Sequence, residues 1–159
     1  LFRSPDNTSF KNLARAPLKK QGTGAKGLEP FRIFEDSRGD IWMATVGDAN
    51  QLFRWERAAN IWHDYTLQVG LAQSGIGSAF SEDRQGNIWI GISSEYGTSS
   101  LARFSKGEFR VFKQSNGAPA GFIWDLFLDS RGRFWIASTS DGLWRLDESN
   151  TDSFEFIKY

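Results

Sequence analysis

The stretch DSRGDIWMAT (residues 36–45) returns as DRQGNIWIGI at 83–92 and as DSRGRFWIAS at 129–138. All three copies read Asp-x-x-Gly-x-apolar-Trp-apolar-small, and successive copies start 47 and 46 residues apart. Self-similarity at a fixed period of this size is the sequence mark of a repeat architecture. The Asp can accept hydrogen bonds from turn amides, and the Gly supplies the positive-φ residue of a type I turn with a G1 bulge. The motif therefore predicts a hairpin. In the strand that follows, side chains alternate, so Trp42 and Ala44, Trp89 and Gly91, and Trp135 and Ala137 share one face. Ile41 and Met43, Ile88 and Ile90, and Phe134 and Ile136 share the other. Both faces are apolar and both must be covered.

Each copy is followed by an apolar-x-Arg-apolar segment: LFRW (52–55), LARF (101–104) and LWRL (143–146). These segments align Arg54, Arg103 and Arg145. A fourth segment then places Trp62 and Tyr65, Phe109 and Phe112, or Phe154 and Ile157 three apart. The opening residues match only the second half of this unit, with Arg3 in LFRS followed by Phe10 and Leu13. The sequence thus divides into an outer hairpin at 1–15 and full units at 28–66, 75–113 and 121–159.

Each unit reads as four short strands. Four-stranded antiparallel sheets with two apolar faces, repeated at this period, are what radially stacked blades require; each Trp lies over a neighbouring blade, and the small residue leaves room for it. A sandwich also uses short alternating strands, but does not need the same Trp, Gly and Arg at a fixed interval. The predicted fold class is all-β, a β-propeller segment of four-stranded antiparallel blades, about three and a half in this chain. The structural repeat positions are Gly39, Trp42, Arg54, Gly86, Trp89, Arg103, Gly132, Trp135 and Arg145.

Composition agrees. Seven Trp, 14 Phe, three Tyr and 16 Gly suit strands and tight turns, and no window shows a convincing helical apolar period. A chain of 159 residues suits one domain. Its 19 basic and 19 acidic residues cancel without a basic block, so nucleic acid is not an expected partner. There is no Cys to form disulfides or thiolate metal sites, and no cofactor or metal is expected. No apolar run approaches the roughly 18 residues of a membrane span, so no direct membrane contact is expected in this segment. LFRSPDNTSF at the start lacks the order of a signal peptide.

The unit FSEDRQGNIWIGI followed by SLARFSKGEFRVF resembles the two-component regulator propeller repeat, an acidic pair and two residues before Gly-Asn-apolar-Trp-apolar-Gly-Thr, then Gly-Leu-x-Arg-aromatic. Residues 82–91 fit it almost letter for letter. Asp40 and Ala44 depart from it in the first unit, and Leu128 and Arg133 in the third. The resemblance implies a sensor rather than a catalyst: a periplasmic or extracellular input segment of a bacterial hybrid histidine kinase, responsive to a small molecule or glycan. The kinase's own parts are not in this sequence.

Other chemistry reads weakly. Asp36 and Gly39 are three apart, unlike the sialidase Asp-box. Adjacent carboxylates such as Glu82 and Asp83 point to opposite faces of a strand and cannot flank one glycosidic bond. His63, the single histidine, lies on an outermost strand, and no catalytic residue is assigned. The repeated Arg residues read as ion-pair or aromatic-stacking positions. Ligand-binding residues are expected where the units differ, in the loops joining fourth to first and second to third strands and at the start of the first strands: Arg32, Asp48, Asn50, Glu95, Tyr96, Trp124 and Asp125. The alternatives are a protein-interaction or structural segment and, in third place, a propeller lyase or glycosidase.

Propellers close with about 4–8 blades, so these units alone leave a ring open. Apolar end faces carrying Trp42 at one end and Trp135 at the other are expected, covered by remaining blades of a parent chain or by self-association.

Overall fold

The computed structural model describes residues 29–47, 50–71, 75–94, 98–150 and 153–159. The hairpin expected at 1–15 lies outside them. Twelve strands form three separate four-stranded antiparallel sheets. Blade 1 holds β1 (Glu29–Glu35), β2 (Ile41–Val46), β3 (Leu52–Glu56) and β4 (Ile61–Asp64). Blade 2 holds β5 (Gly75–Glu82), β6 (Ile88–Ser94), β7 (Ser99–Ser105) and β8 (Glu108–Lys113). Blade 3 holds β9 (Ile123–Leu128), β10 (Phe134–Ser138), β11 (Gly142–Asn150) and β12 (Ser153–Lys158). A 3-10 turn at Gln114–Asn116 is the one helical element among the described residues. Within each sheet the strands run in chain order, and β5 contacts both β1 and β9, so the first strands lie innermost.

The repeated motif is a clamp. Gly39, Gly86 and Gly132 have φ of 82°, 77° and 77°, and each donates its amide to the carbonyl of Asp36, Asp83 or Asp129 at 2.8–3.0 Å. One oxygen of each Asp accepts the amides two and four residues on: Arg38 and Asp40, Gln85 and Asn87, Arg131 and Arg133. Its second oxygen accepts the indole N–H of the motif's Trp, at 3.1 Å for Trp42, 2.8 Å for Trp89 and 3.0 Å for Trp135. Turn chemistry predicts the amide bonds; the indole bond, which fixes the ring over the next sheet, is an addition made by the structure.

The two faces of β6 enter different cores. Trp89, with Leu101 and Phe112, packs on Phe134, Phe154 and Ile123 of blade 3. Ile88, Ile90, Ala102 and Phe104 pack with Trp42 and Leu52 of blade 1. The small residue two places after Trp42 and Trp89 is required by this approach. A Cβ on Gly91 would come within 2.7 Å of Ile123, and one on Gly77 within 2.7 Å of the Ala44 methyl.

One expectation is corrected. Trp42 is not at an end face: it is fully buried against Phe104 and Phe109 of blade 2. Alternation tells which residues share a face, not which neighbour that face meets. Trp42 and Trp89 each face the next blade in the chain, and Trp135 alone among the three motif Trp has no described blade over it. Its side of blade 3 exposes Phe127 (59%) and Leu143 (44%).

Candidate functional site

The loops joining fourth to first strands and second to third strands emerge at one end of the three blades. There, Val69 and Leu71 are buried against Ile92, and a Cβ on Gly75 would sit 3.1 Å from Ile92, so the 65–71 connection is drawn over the end of blade 2. Thr66 fixes its start, accepting the Leu52 amide at 3.1 Å and donating to Asp64 at 2.6 Å.

Between this connection and the outer strands of blade 2 lies a cleft of about 430 Å³. Val69, Ile92 and Val111 form an apolar part; Ser94, Thr98, Ser100, Lys113 and Gln114 supply hydroxyl, ammonium and amide groups. The Ser94 and Thr98 hydroxyls bond to each other at 2.7 Å, and Ser99 donates to the Pro119 carbonyl at 2.7 Å, which sets the far wall. A few directed polar groups over an apolar floor is the usual make-up of a small-molecule site.

The residues expected from the sequence are dispersed. Asp48, Glu95 and Tyr96 lie outside the described residues. Asn50 sits half-buried beside β3. Arg32 faces the seam between blades 1 and 2, where its Nε donates to the Ser78 carbonyl at 2.9 Å and its guanidinium lies 4.3 Å over Phe31. Trp124 is the residue skipped at a bulge in β9; it is 55% exposed, with its ring 4.7 Å from that of Phe122. Asp125 belongs to a hollow of about 450 Å³ on the outward side of blade 3, with Phe127, Trp135, Ala137 and Leu143. Register explains the dispersal. Arg32, Ala79 and Asp125 pair with Ala44, Gly91 and Ala137, so they hold the same position in successive blades. The cleft side chains escaped the sequence reading because Ser, Thr and Lys on strand ends look like ordinary solvated residues; paired Ser93-to-Ser94 and Thr98-to-Ser100 hydroxyls flanking one loop were the available signal.

The three aligned Arg differ in their partners. Arg54 forms an ion pair with Asp40 at 2.6 Å, both side chains largely buried. Arg145 holds Asp147 through two bonds of 2.7 Å and donates to the Tyr159 hydroxyl. Among the described residues Arg103 has aromatic contacts, 5.0 Å over Phe154 and 5.9 Å over Trp89, and its buried Nε has no acceptor. His63 stacks on Tyr65 and lies 3.0 Å from Glu56. Among the described residues no three His, Cys, Asp or Glu side chains stand together as a metal site would require, and no helix is long and apolar enough to cross a membrane.

Three face-packed four-stranded sheets around common inner strands define a β-propeller segment. Residues 70–94 and 117–144 match the model of the two component regulator propeller family, covering β5 and β6 in blade 2 and β9 through the start of β11 in blade 3. The first hairpins of blades 2 and 3 thus match the two-component regulator propeller repeat. Among solved structures, the chain is similar to the extracellular domain of BT3049 from B. thetaiotaomicron, named as a hybrid two component system (22% identity, TM-score 0.59), over 84% of this chain and 17% of that one. It is also similar to the extracellular domain of BT4673 from the same organism, named as a one component system (16%, 0.57, again 84% and 17%). A third structure, named for a gluconolactonase, matches at 13% identity and TM-score 0.51, over 79% of this chain and 47% of that one. At these identities the likeness is one of fold, and the chain spans under a fifth of the length of the first two. No curated protein matches it.

Proposed function

We propose that this chain is an extracytoplasmic segment of a two-component signalling receptor and that it senses a polyhydroxylated small molecule, a glycan fragment being the best fit. The observation that carries the reading is the cleft at the loop end: about 430 Å³, an apolar floor of Val69, Ile92 and Val111, and hydroxyl and amide donors at its edge. Sugar rings present that same combination, an apolar face edged by hydroxyls. The family match and the fold shared with extracellular domains of signalling proteins support the compartment and the sensing role.

Calorimetric titration of the whole chain with neutral oligosaccharides tests the site. Binding by at least one member of the panel, weakened about tenfold by Gln114→Ala or Ser100→Ala, is the expected result. No binding across the panel, or binding indifferent to both substitutions, overturns it.

A second reading rests on the outward side of blade 3. We propose that Trp135, Ala137, Phe127 and Leu143 receive a further blade of this repeat, because the Trp89, Gly91 and Leu101 positions of blade 2 are covered in that way by blade 3. Light scattering across a concentration series distinguishes a second copy from another blade of one longer chain. A monomer at all concentrations that binds no hydrophobic dye overturns the open face itself.

A further inference from the structure

The seam between blades 1 and 2 has carboxylates that the seam between blades 2 and 3 lacks. At the first seam, the turn residue Ser37 gives its amide (2.7 Å) and hydroxyl (2.6 Å) to Glu82 of blade 2, and Arg54 pairs with Asp40. At the second seam, the residue matching Ser37 is Arg84, the residue matching Glu82 is Leu128, and the residue matching Asp40 is Asn87. Asn87 turns its amide to both oxygens of Asp83, at 3.1 and 2.9 Å, and offers Arg103 no charge. The carboxylate that Arg145 uses, Asp147, is matched by Ser105. Three acidic positions are neutral here, while Arg103 is kept and Arg84 is gained.

Between these groups lies a cleft of about 420 Å³ lined by Arg84, Trp89, Leu128, Gly132, Arg133 and Phe154, among others. Gly132 keeps it open: the Arg84 guanidinium fills the space that a Cβ there would need. Arg103 lies behind two of the aromatic walls, over Trp89 and Phe154. Two carboxylates, Asp83 and Asp147, also line the cleft, and both are engaged: Asp83 holds the Trp89 indole and the Asn87 amide, and Asp147 is held by Arg145. Among the described residues no carboxylate pairs with Arg84 or Arg103. An exposed guanidinium such as that of Arg84 is satisfied by water. Arg103 does not line the cleft: its buried Nε has no acceptor, and its charge acts on the cleft from behind the rings of Trp89 and Phe154.

We propose that the cleft between blades 2 and 3 binds a small oxyanion, the carboxylate of an acidic sugar or a free inorganic oxyanion, which takes the place of the missing carboxylates. Arg84 supplies a planar fork of donors suited to such a group, and Arg103 supplies the second positive charge. The site lies at the turn end of the blades, opposite the loop-end cleft, and does not depend on the reading given for that cleft.

The test uses the whole chain at low ionic strength, with glucuronate, sulfate, glucose and chloride followed by thermal unfolding and by Trp fluorescence. The expected result is stabilisation and a saturable fluorescence change with glucuronate or sulfate at concentrations where glucose and chloride have no effect. Leu128→Glu, which rebuilds the partner seen at Glu82, and Asn87→Asp, which rebuilds the one seen at Asp40, should each weaken the apparent affinity about tenfold or more. Arg84→Gln should do the same. Response to both anions identifies a bare oxyanion site; response to glucuronate alone identifies an acidic sugar. No anion response in the parent chain overturns the proposal, as does a response unchanged in both Leu128→Glu and Asn87→Asp, since sulfate also stabilises folded chains without binding a site.

Discussion

Trp89 and Trp135 stand at the same place in the same motif, held by the same kind of Asp, yet one is 1% exposed under a full blade and the other lies on an open side. The difference separates two jobs of the repeat. The clamp that orients the ring is complete within about ten residues, whereas the burial that makes the ring stabilising is supplied by the neighbour. Substitutions made in pairs, one at the covered seam and one at the open side, should resolve these two contributions.

The largest effect is expected at the ring itself. Trp89→Ala removes a side chain wedged among Phe112, Phe134 and Phe154, and should cost about 3–5 kcal/mol; Trp135→Ala, which loses chiefly its contacts with Tyr159 and Arg133, should cost under about half of that. Denaturant midpoints would measure both, and equal losses would break the comparison. Next comes the small residue. Gly91→Val drives a side chain into Ile123 and should cost about 1–3 kcal/mol, while Ala137→Val on the open side should stay within about 0.5 kcal/mol. The turn should give a smaller response. Gly86→Val, at φ 77°, should destabilise by more than about 1 kcal/mol and Gly86→Asn by less, because Asn tolerates the left-handed region. Similar midpoints for the two variants would contradict the hairpin geometry.

Acid sensitivity gives the smallest and most distributed effect. Burial pushes the Asp36 carboxyl up, but the Trp42 indole, the Arg38 guanidinium and the Asp40 amide together hold it below its ordinary 3.8. The Trp135 indole is the chief cause that holds Asp129 well below the same value, with the Arg133 amide and guanidinium adding to it. A lowered pKa in the folded state means that the unfolded chain takes up the proton first. The stabilisation is therefore complete above pH 3.8 and is lost as pH falls from there toward the folded values. Urea midpoints at pH 6 and pH 3 should fall less on acidification for Asp36→Asn and Asp129→Asn than for the parent chain. Added salt should reduce the Asp129 share more, since the Asp129 side chain is 14% exposed and that of Asp36 is 0% exposed.

The parts of the fold that could be read from the sequence are those decided by neighbours in the chain. Asp36, Gly39, Trp42 and Ala44 announce a turn, a strand and a face, and the same is true at 83–91 and 129–137, so the three four-stranded sheets follow from local rules. The direction in which Trp42 faces does not follow, because the handedness of stacking is set between sheets and alternation is silent on it. The site was less legible for the same reason. Arg32 is expected among the loop-end binding residues, and its Nε bond to the Ser78 carbonyl of another blade, 46 residues away in sequence, follows from no local rule. The cleft beside Lys113 and the orphaned Arg103 arise only when segments far apart in the chain are brought together.

The clamp also bears on the order in which the chain folds. Every bond made by Asp36, Asp83 and Asp129 within its motif spans six residues or fewer, and closing so short a loop is fast, whereas the contacts between blades wait on long-range encounters. Three hairpins of the same kind should therefore form independently and early, each carrying its indole already aimed, with the seams zipping afterwards from whichever pair meets first. A unit that prepares its own docking surface before it has a neighbour can be copied, deleted or appended without re-solving the rest of the chain, which makes tandem duplication a short evolutionary step for this motif.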